Sequence, residues 1–399
     1  MKITRRWIAF LIVLAAPLLL FSSAQTPEKA AAKGQYLAYV GTYTSKTSSK
    51  GIYVFRFDTA TGKLSAIGVA AETPDPSWVA VHSNGKYVYA ANEAGKASTI
   101  SAFTPDAMSG KLTLLNQLPS LGEDPCYISF DRTGKYIFVA NYTSGNVVVF
   151  PIGPDGQLGA ATANVHDEGK LGPNKERQDG PHAHWIEPSI DDHSVYVADL
   201  GLDSVLRYGF DATKGTLSTG PVQSNWSHSV LDLSAKLARG TGPRHAAFSR
   251  NGAQMYVLGE LQSTVTAFHM VGLDDYVPTS FQKVSALPKG FSGHNDAAEI
   301  ALHPSGHFLY TSNRGNDTIA VFNVQPRDGR LTLVANVSTG GKEPRHFAID
   351  PSGNYLLAEN QLSNNIVVFK INSATGGLTP TGQVVEVPSP VNIAFLRED

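Results

Sequence analysis

The sequence predicts an all-β fold, a seven-bladed β-propeller whose blades are four-stranded antiparallel sheets. A strand-turn-strand pattern recurs about every 47 to 60 residues, and a third apolar strand follows each time. Such a sheet cannot bury both faces alone, and radial packing of blades about a channel leaves only short exposed edges. Because no linker interrupts the period, we expect one propeller domain over residues 35–399 rather than two domains.

The repeats align on the turn before their second strand, which is rich in Tyr and Val. The seven second strands read GQYLAYVGT from Gly34, GKYVYAANE from Gly85, GKYIFVANY from Gly134, DHSVYVADL from Asp192, GAQMYVLGE from Gly252, GHFLYTSNR from Gly306 and GNYLLAENQ from Gly353. A third strand such as NVVVFPI or TIAVFNV comes next, and usually a TGKL or DGRL type of turn leads to a fourth.

The two ends of the chain predict how the ring closes. The first repeat begins at its second strand, whereas the chain ends on PVNIAFL, Pro390 to Leu396, which resembles the first strands PSWVAV and PRHFAI. We therefore expect the C-terminal strand to complete the blade that the N-terminus begins. A linear solenoid would need no such strand.

The N-terminus has the pattern of a secretory signal peptide. Lys2, Arg5 and Arg6 precede an apolar run from Trp7 to Phe21, and Ser-Ser-Ala follows. The run of roughly 15 residues is shorter than the ~20 that a membrane-spanning helix needs, so cleavage is favoured over a membrane anchor. We predict a signal peptide over residues 1–24, a short linker over 25–34, and a periplasmic or secreted protein without stable membrane insertion. Sec and twin-arginine export both stay open.

Composition limits the partners that we expect. The net charge of −2 provides no bulk attraction to nucleic acid or to an anionic membrane, so a small molecule is the expected partner of a monomer. Cys126 is the only cysteine, which excludes an intramolecular disulfide.

Charged residues concentrate where first strands begin and second strands end. These two points lie at the same rim of an antiparallel blade, so Arg244 and His245 are expected close to Glu260. The matching positions in other repeats hold Ser77 and Trp78 with Glu93, Cys126 and Tyr127 with Tyr142, His182 and His184 with Asp199, Glu299 with Arg314, and Arg345 and His346 with Gln361.

The ordered polar motifs resemble one family. VGTYT, GPHAHW followed by VADLGLD, GPRH followed by GE, SNRGNDTI and PRHFAIDPSGNYLLAENQ are similar to the lactonase family of seven-bladed propellers, from about Gln35 to Leu396. That family includes propeller-type 6-phosphogluconolactonases of bacteria and carboxy-muconate lactonising enzymes of fungi. The fungal members have a proposed site of one histidine, two arginines and a glutamate. The resemblance maps this site onto His182 or His184, Arg244, Arg314 and Glu260.

Lactone hydrolysis needs a base for the attacking water and positive charge for the developing oxyanion. Glu260, His182 or His184 can be that base, and arginine forks suit a carboxylate, a phosphate or the oxyanion. The predicted catalytic residues are Glu260, His182, His184 and Arg244, and the predicted substrate-binding residues are Arg314, Arg345, His245, His346 and Asp199. We expect no cofactor, and no metal, because the acidic residues lack the close spacing of a calcium loop.

The resemblance implies hydrolysis of a sugar-acid lactone, either 6-phosphogluconolactone or an unphosphorylated aldonolactone. A non-catalytic envelope propeller that binds a glycan or peptide, and a muconate-type cycloisomerase, are the alternatives. Arg244 and Glu260 can also be read as a purely structural ion pair that braces the channel mouth.

Export is tested by N-terminal sequencing of the protein purified from its native host. We expect the mature chain to begin near Gln25, because the small residues before it form the cleavage site. An intact Met1 in the soluble cytoplasmic fraction would contradict the predicted localisation.

Overall fold

The computed structural model describes residues 34–218, 222–223, 230–231, 234–270 and 278–398. The predicted signal peptide and all but the last residue of the predicted linker lie outside the described residues.

The described strands form seven four-stranded antiparallel sheets, so the predicted all-β seven-bladed propeller is confirmed. The first three blades contain β1 (Gln35–Thr42), β2 (Gly51–Asp58) and β3 (Lys63–Glu72) in blade 1; β4 (Pro76–Val81), β5 (Val88–Asn92), β6 (Thr99–Pro105) and β7 (Leu112–Pro119) in blade 2; and β8 (Pro125–Phe130), β9 (Tyr136–Asn141), β10 (Asn146–Pro151) and β11 (Ala163–His166) in blade 3. A short 3₁₀ helix, Gly95–Ala97, precedes β6.

Blade 4 has a divided outer edge. Its strands are β12 (Ala183–Pro188), β13 (Ser194–Asp199), β14 (Ser204–Asp211) and β15 (Thr216–Ser218); the pair β16 (Val222–Gln223) and β17 (Val230–Leu231) follows, and then β18 (Ala235–Lys236). β15 pairs with the end of β14 and β18 with its start. The fourth strand of this blade is therefore divided between β15 and β18.

The last three blades are regular, and one further strand follows them. They contain β19 (Pro243–Phe248), β20 (Gln254–Gly259), β21 (Thr264–His269) and β22 (Thr279–Ser285) in blade 5; β23 (Asp296–Leu302), β24 (Phe308–Arg314), β25 (Thr318–Val324) and β26 (Leu331–Ser338) in blade 6; β27 (Pro344–Ile349), β28 (Tyr355–Asn360), β29 (Asn365–Ile371) and β30 (Leu378–Glu386) in blade 7; and finally β31 (Pro390–Arg397).

The C-terminal strand closes the ring, as predicted. β31 pairs with β1 in antiparallel register from Tyr36 opposite Arg397 to Thr42 opposite Pro390, and so becomes the innermost strand of blade 1, the counterpart of the first strand in every other blade. The first strands of neighbouring blades contact each other in an unbroken circle from β31 through β4 and β27 back to β31. These seven strands therefore line the central channel.

Apolar packing lies between the blades. Tyr89 and Ile100 of blade 2, for example, pack against Val139 and Phe150 of blade 3. Buried tyrosines of second strands also cross to the next blade, where each hydroxyl donates to a turn carbonyl at 2.8 Å. These pairs are Tyr89 with Gly156, Tyr256 with Gly329, and Tyr310 with Gly376. Each blade is thus fixed by its neighbours.

Every inner strand carries a β-bulge at the same end of the channel. At the bulge the inner strand has one residue more than the strand that it pairs with. The extra residue bends the inner strand and turns its own side chain toward the channel mouth. The residues at the bulges are Val391, Ser77, Cys126, His184, Arg244, Ala298 and Arg345.

In five blades the bulge follows a proline and a residue with positive φ. These residues are Asp75 (φ 38°), Asp124 (57°), Gly242 (61°), Glu343 (60°) and Ser389 (46°). At Gly242 a side chain is also excluded by packing, because an added Cβ would lie 2.6 Å from Leu261 Cγ. The chain thus enters the inner strand through a fixed turn just before Arg244.

The described part of the chain contains no helix with the length and apolar character of a membrane span.

Ring closure is tested by deleting residues 390–399. The deletion removes the innermost strand of blade 1 and leaves the hydrogen-bonding groups of β1 unpaired, so we expect aggregation on expression. A matched control deletes only residues 398–399. It removes the exposed ion pair between Arg56 and Glu398, which is worth about 0.2–1 kcal/mol, and leaves β31 in place. A soluble 390–399 deletion with an unchanged melting temperature would contradict ring closure by this strand.

Candidate active site

Three of the predicted site residues meet at the mouth of the channel, where two arginines contact the carboxylate of the third residue, Glu260. Glu260 follows β20, Arg244 occupies the bulge of β19 and Arg314 ends β24. Glu260 Oε2 lies 3.1 Å from Arg244 Nε and 3.2 Å from Arg314 Nη2. Its other oxygen, Oε1, contacts Nη2 of Arg177, which was not among the predicted residues. Glu260 is buried, so its negative charge is balanced by the guanidinium groups of this cluster.

The arginines decide the protonation of Glu260. Burial, the largest single influence, raises the pKa of this carboxyl group, but attraction to Arg314, Arg244 and Arg177 outweighs it and holds the pKa at about 2. Burial together with repulsion from Arg314 and Arg345 lowers the pKa of Arg244 to about 10. At neutral pH the cluster is fully charged, and Glu260 is too weak a base to take a proton while all three arginines contact it.

Arg345 belongs to a second group of polar side chains at the mouth, together with Tyr43 and Glu93. It occupies the bulge of β27, donates to the Tyr43 hydroxyl oxygen at 2.9 Å and lies over the Tyr43 ring. The Tyr43 hydroxyl in turn donates to Glu93 Oε2 at 2.7 Å. Tyr43 and Glu93 follow second strands in blades 1 and 2, as Glu260 does in blade 5. Arg345 is therefore held away from the Glu260 carboxylate.

The two predicted histidines differ in how they are engaged. His182 stacks on Tyr142, and its ring nitrogens face two acceptors, the Tyr142 carbonyl and Asp179 Oδ1, each at 3.0 Å. His184 occupies the bulge of β12, and its buried Nδ1 makes no hydrogen bond to a described residue. Burial, followed by repulsion from Arg244, lowers the pKa of His184 well below its usual range. His184 is thus neutral at neutral pH with a lone pair available.

His245 and His346 lie deeper than predicted, in a layer that fills the channel beneath the arginines. Trp78 packs on Tyr127 with ring centroids 4.1 Å apart, and its edge meets both histidine rings. His245 Nδ1 lies 2.9 Å from Glu299 Oε2, and His346 Nε2 lies 3.6 Å from the same oxygen. Both histidines are buried. Their contacts with Trp78 and Glu299 place them in this layer, and their predicted role in substrate binding stays a prediction.

Cys126 also belongs to the buried part of the site. Its Sγ lies 3.6 Å from the His184 carbonyl oxygen, and burial raises the pKa of the thiol. The thiolate that a nucleophilic cysteine requires is therefore disfavoured.

Asp199 is one residue out of the predicted alignment. It pairs with Ala183 as Gly259 pairs with Pro243, so Leu200 occupies the position of Glu260 in blade 4. The Asp199 carboxyl is fully buried and, instead of facing the arginines, interacts with Asp167. Burial raises the pKa of both carboxyl groups, and for Asp167 the neighbouring Asp199 adds to this rise, so we predict that the pair shares a proton.

Three site residues were missed by sequence reasoning. Tyr43 and Tyr142 occupy the Glu260 position of their own blades, so the repeat alignment contained a signal for both. Arg177 lies in the loop between β11 and β12, where no repeat position marks it. Within the described residues, no group of three histidine, cysteine or acidic side chains is arranged to hold a metal ion.

Comparison with known proteins agrees with this architecture. Residues 37–395 match the family described as "Lactonase, 7-bladed beta-propeller". The chain belongs to this lactonase family. Among curated proteins, a 6-phosphogluconolactonase of Bacillus subtilis is 37% identical over 316 residues, covering 78% of this chain and 84% of the relative.

Solved structures of similar chains cover the whole propeller. A periplasmic gluconolactonase of Pseudomonas aeruginosa superposes with a TM-score of 0.81 at 31% identity, over 92% of this chain and 100% of that chain. A protein of Lactobacillus plantarum superposes with a TM-score of 0.81 at 34% identity, over 91% and 100%. Membership of the lactonase family favours the predicted lactone hydrolase over a non-catalytic binding propeller.

The shared proton of Asp167 and Asp199 predicts a pH-dependent stability. A pKa raised on folding stabilises the protein at low pH, and this contribution is lost as pH rises through the raised pKa. Asp199→Asn supplies an amide donor to Asp167 without needing that proton. We expect its melting temperature to fall less between pH 5 and pH 8 than that of the wild type. The control is Asp155→Asn, in an exposed turn. An identical pH dependence of wild type and Asp199→Asn would contradict proton sharing.

Proposed function

We propose that this protein hydrolyses a sugar-acid lactone at the mouth of the channel. The observation that carries the proposal is His184: its Nδ1 has no hydrogen-bond partner among the described residues, and burial and the nearby charge of Arg244, which pairs with Glu260, lower its pKa. Family membership and a 6-phosphogluconolactonase relative support the reaction class. The site thus offers a base next to fixed positive charge, which is what attack by water on a lactone needs.

In the proposed reaction, His184 takes a proton from water as the water oxygen bonds to the lactone carbonyl carbon. The oxyanion that forms faces Arg244 and Arg314. Arg244 Nη1 donates to the Ala298 carbonyl, and Nε lies 3.1 Å from Glu260 Oε2 without the geometry of a hydrogen bond. Arg244 Nη2 has no hydrogen bond to a described residue and is therefore suited to this role. Collapse of the tetrahedral intermediate breaks the ring C–O bond, and protonated His184 returns its proton to the leaving alkoxide. The product is the open hydroxy acid.

Glu260 has an electrostatic role in this proposal. Its carboxylate spans both buried arginines and fixes their orientation before substrate arrives, which avoids reorganisation during the reaction. Its pKa of about 2 argues against Glu260 as the base. The fungal-type set of one histidine, two arginines and one glutamate is thus retained with His184 as the histidine.

Phosphorylated and unphosphorylated lactones both stay within the proposal. 6-Phosphogluconolactone is made in the cytoplasm, whereas the N-terminal motif predicts export, so unphosphorylated lactones are kept beside it. A periplasmic gluconolactonase among the similar structures supports keeping them. We propose that the mature chain acts outside the cytoplasm as a monomer.

The base is identified by comparing His184→Asn with Glu260→Gln on glucono-δ-lactone and 6-phosphoglucono-δ-lactone. Loss of a general base costs roughly 10²–10⁴ in rate, so His184→Asn should lose turnover at an unchanged melting temperature. Glu260→Gln leaves two buried arginines without their carboxylate, so we expect a loss of about 3–5 kcal/mol of stability together with activity.

The pH profile gives a second measurement. Because the pKa of His184 is lowered, wild-type kcat/KM should stay level as pH falls through 6.5 and decline only in more acidic solution. His193→Asn, an exposed histidine in a turn of blade 4, is the control and should behave as wild type. Full activity in His184→Asn, with activity lost in a fully stable Glu260→Gln, would make Glu260 the base instead.

A further inference from the structure

Arg177 differs from the other arginines on Glu260 in its exposure. The side chains of Arg244 and Arg314 are 4% and 9% exposed, whereas that of Arg177 is 35% exposed. Arg177 covers the solvent side of Glu260 and lies 3.5 Å from the hydroxyl of Tyr142. Tyr142 in turn packs against His184 with ring centroids 5.4 Å apart, so Tyr142 links Arg177 to the proposed base.

Arg177 can leave Glu260 without exposing an unpaired buried charge. Glu260 Oε2 keeps both buried arginines, and only Oε1 depends on Arg177. Three guanidinium groups thus share one carboxylate. Two further carboxylates lie farther away: that of Asp296 is 3.8 Å from Arg177, and that of Glu343 is 3.8 Å from Arg314. The cluster therefore carries more positive charge than its own close contacts use.

The Arg177 fork also has unused donors. Only Nη2 hydrogen-bonds to described residues, namely Glu260 and Tyr142. Nη1 lies 3.8 Å from Asp296 Oδ2, beyond hydrogen-bond distance, and Nε has no hydrogen bond to a described residue. When Nη2 leaves Glu260, it forms a pair of parallel donors with Nη1 or with Nε, and such a pair matches two oxygens of a phosphate or a carboxylate.

The backbone that carries Arg177 is fixed. Asn174 Oδ1 accepts the N–H groups of Glu176 and Arg177 at 3.1 and 3.2 Å. Gln178, the next residue, donates from Nε2 to the Leu200 carbonyl at 2.8 Å and to Asp203 Oδ1 at 2.9 Å. The Arg177 side chain can therefore rearrange while its backbone stays in place, so a ligand meets a guanidinium that is attached to a fixed point of the loop.

We propose that Arg177 determines substrate specificity: its guanidinium turns from Glu260 to an anionic substituent on the lactone ring, remote from the carbonyl group. The inference rests on the proposed function and adds which lactones the site prefers. A phosphate monoester and a carboxylate offer the same pair of oxygens, so the preferred substrates are anionic lactones of either kind. A neutral lactone binds without this contact and leaves Arg177 on Glu260.

The test measures kcat and KM for three lactones with the mature chain. They are 6-phosphoglucono-δ-lactone, glucaro-1,4-lactone with a carboxylate, and neutral glucono-δ-lactone. For Arg177→Ala we expect kcat/KM for the preferred anionic lactone, divided by that for glucono-δ-lactone, to fall roughly 10- to 100-fold, mainly through KM, because charge-assisted hydrogen bonds are lost. Arg177→Lys keeps the charge without the fork and should recover part of this ratio. The larger fall identifies phosphate or carboxylate as the group that Arg177 binds.

Lys175→Ala is the matched control, because it removes one exposed cation from the same loop, two residues away. Its ratio should equal that of the wild type. An unchanged ratio in Arg177→Ala, or an equal change in Lys175→Ala, would overturn the proposal and leave Arg177 as a loop brace.

Calorimetric titration with inorganic phosphate separates this inference from the proposed function. We expect phosphate to bind the wild type and Lys175→Ala, and to bind Arg177→Ala at least tenfold more weakly. If the wild type hydrolyses none of the lactones, the proposed function fails, while phosphate binding that depends on Arg177 still supports the anion contact. Equal phosphate binding, or none, in wild type and Arg177→Ala would argue against that contact.

Discussion

The antiparallel pairing of β31 with β1 is the constraint on which the site depends. It joins the two ends of the chain in one blade, so seven inner strands form a closed circle and all their bulges face the same opening. The side chains of Arg244, Glu260 and Arg314 come from two adjacent blades of that circle, blades 5 and 6, and meet at this opening. Global topology therefore sets distances of about 3 Å at the mouth.

Charge organisation at the mouth follows from burial. A lone buried carboxylate would take up a proton, and lone buried arginines would be costly, but together they stay ionised. Beneath them, His245 and His346 share Glu299 in a layer closed by Trp78 and Tyr127. The arginines thus rest on a packed and hydrogen-bonded floor, which limits the orientations that they can adopt.

The sequence predicted what depends on the repeat and missed what does not. Period and turn composition predicted the blades, and antiparallel pairing predicted that Arg244 and Glu260 meet. The bulges were not predictable, because the extra residue stands near the start of each inner strand, before the apolar alternation is established. The error at Asp199 is separate: the aligned repeat DHSVYVADL ends on Leu200 where GAQMYVLGE ends on Glu260, so Asp199 was assigned one position too early. Arg177 has no counterpart in other blades, and only the folded loop between β11 and β12 brings it to Glu260.

The filled channel also determines where ligands enter and leave. Trp78 of blade 2 reaches across the axis to His245 of blade 5 and His346 of blade 7, so the interior offers no passage at that level. A ligand that arrives at the mouth must depart through the same opening, past the same guanidinium groups. An acid formed there gains a negative charge just before it leaves, so the arginines that attract an incoming anion also slow the escape of an outgoing one. How long the open acid stays bound, and how strongly it inhibits, then depends on how tightly the arginines at this opening bind anions.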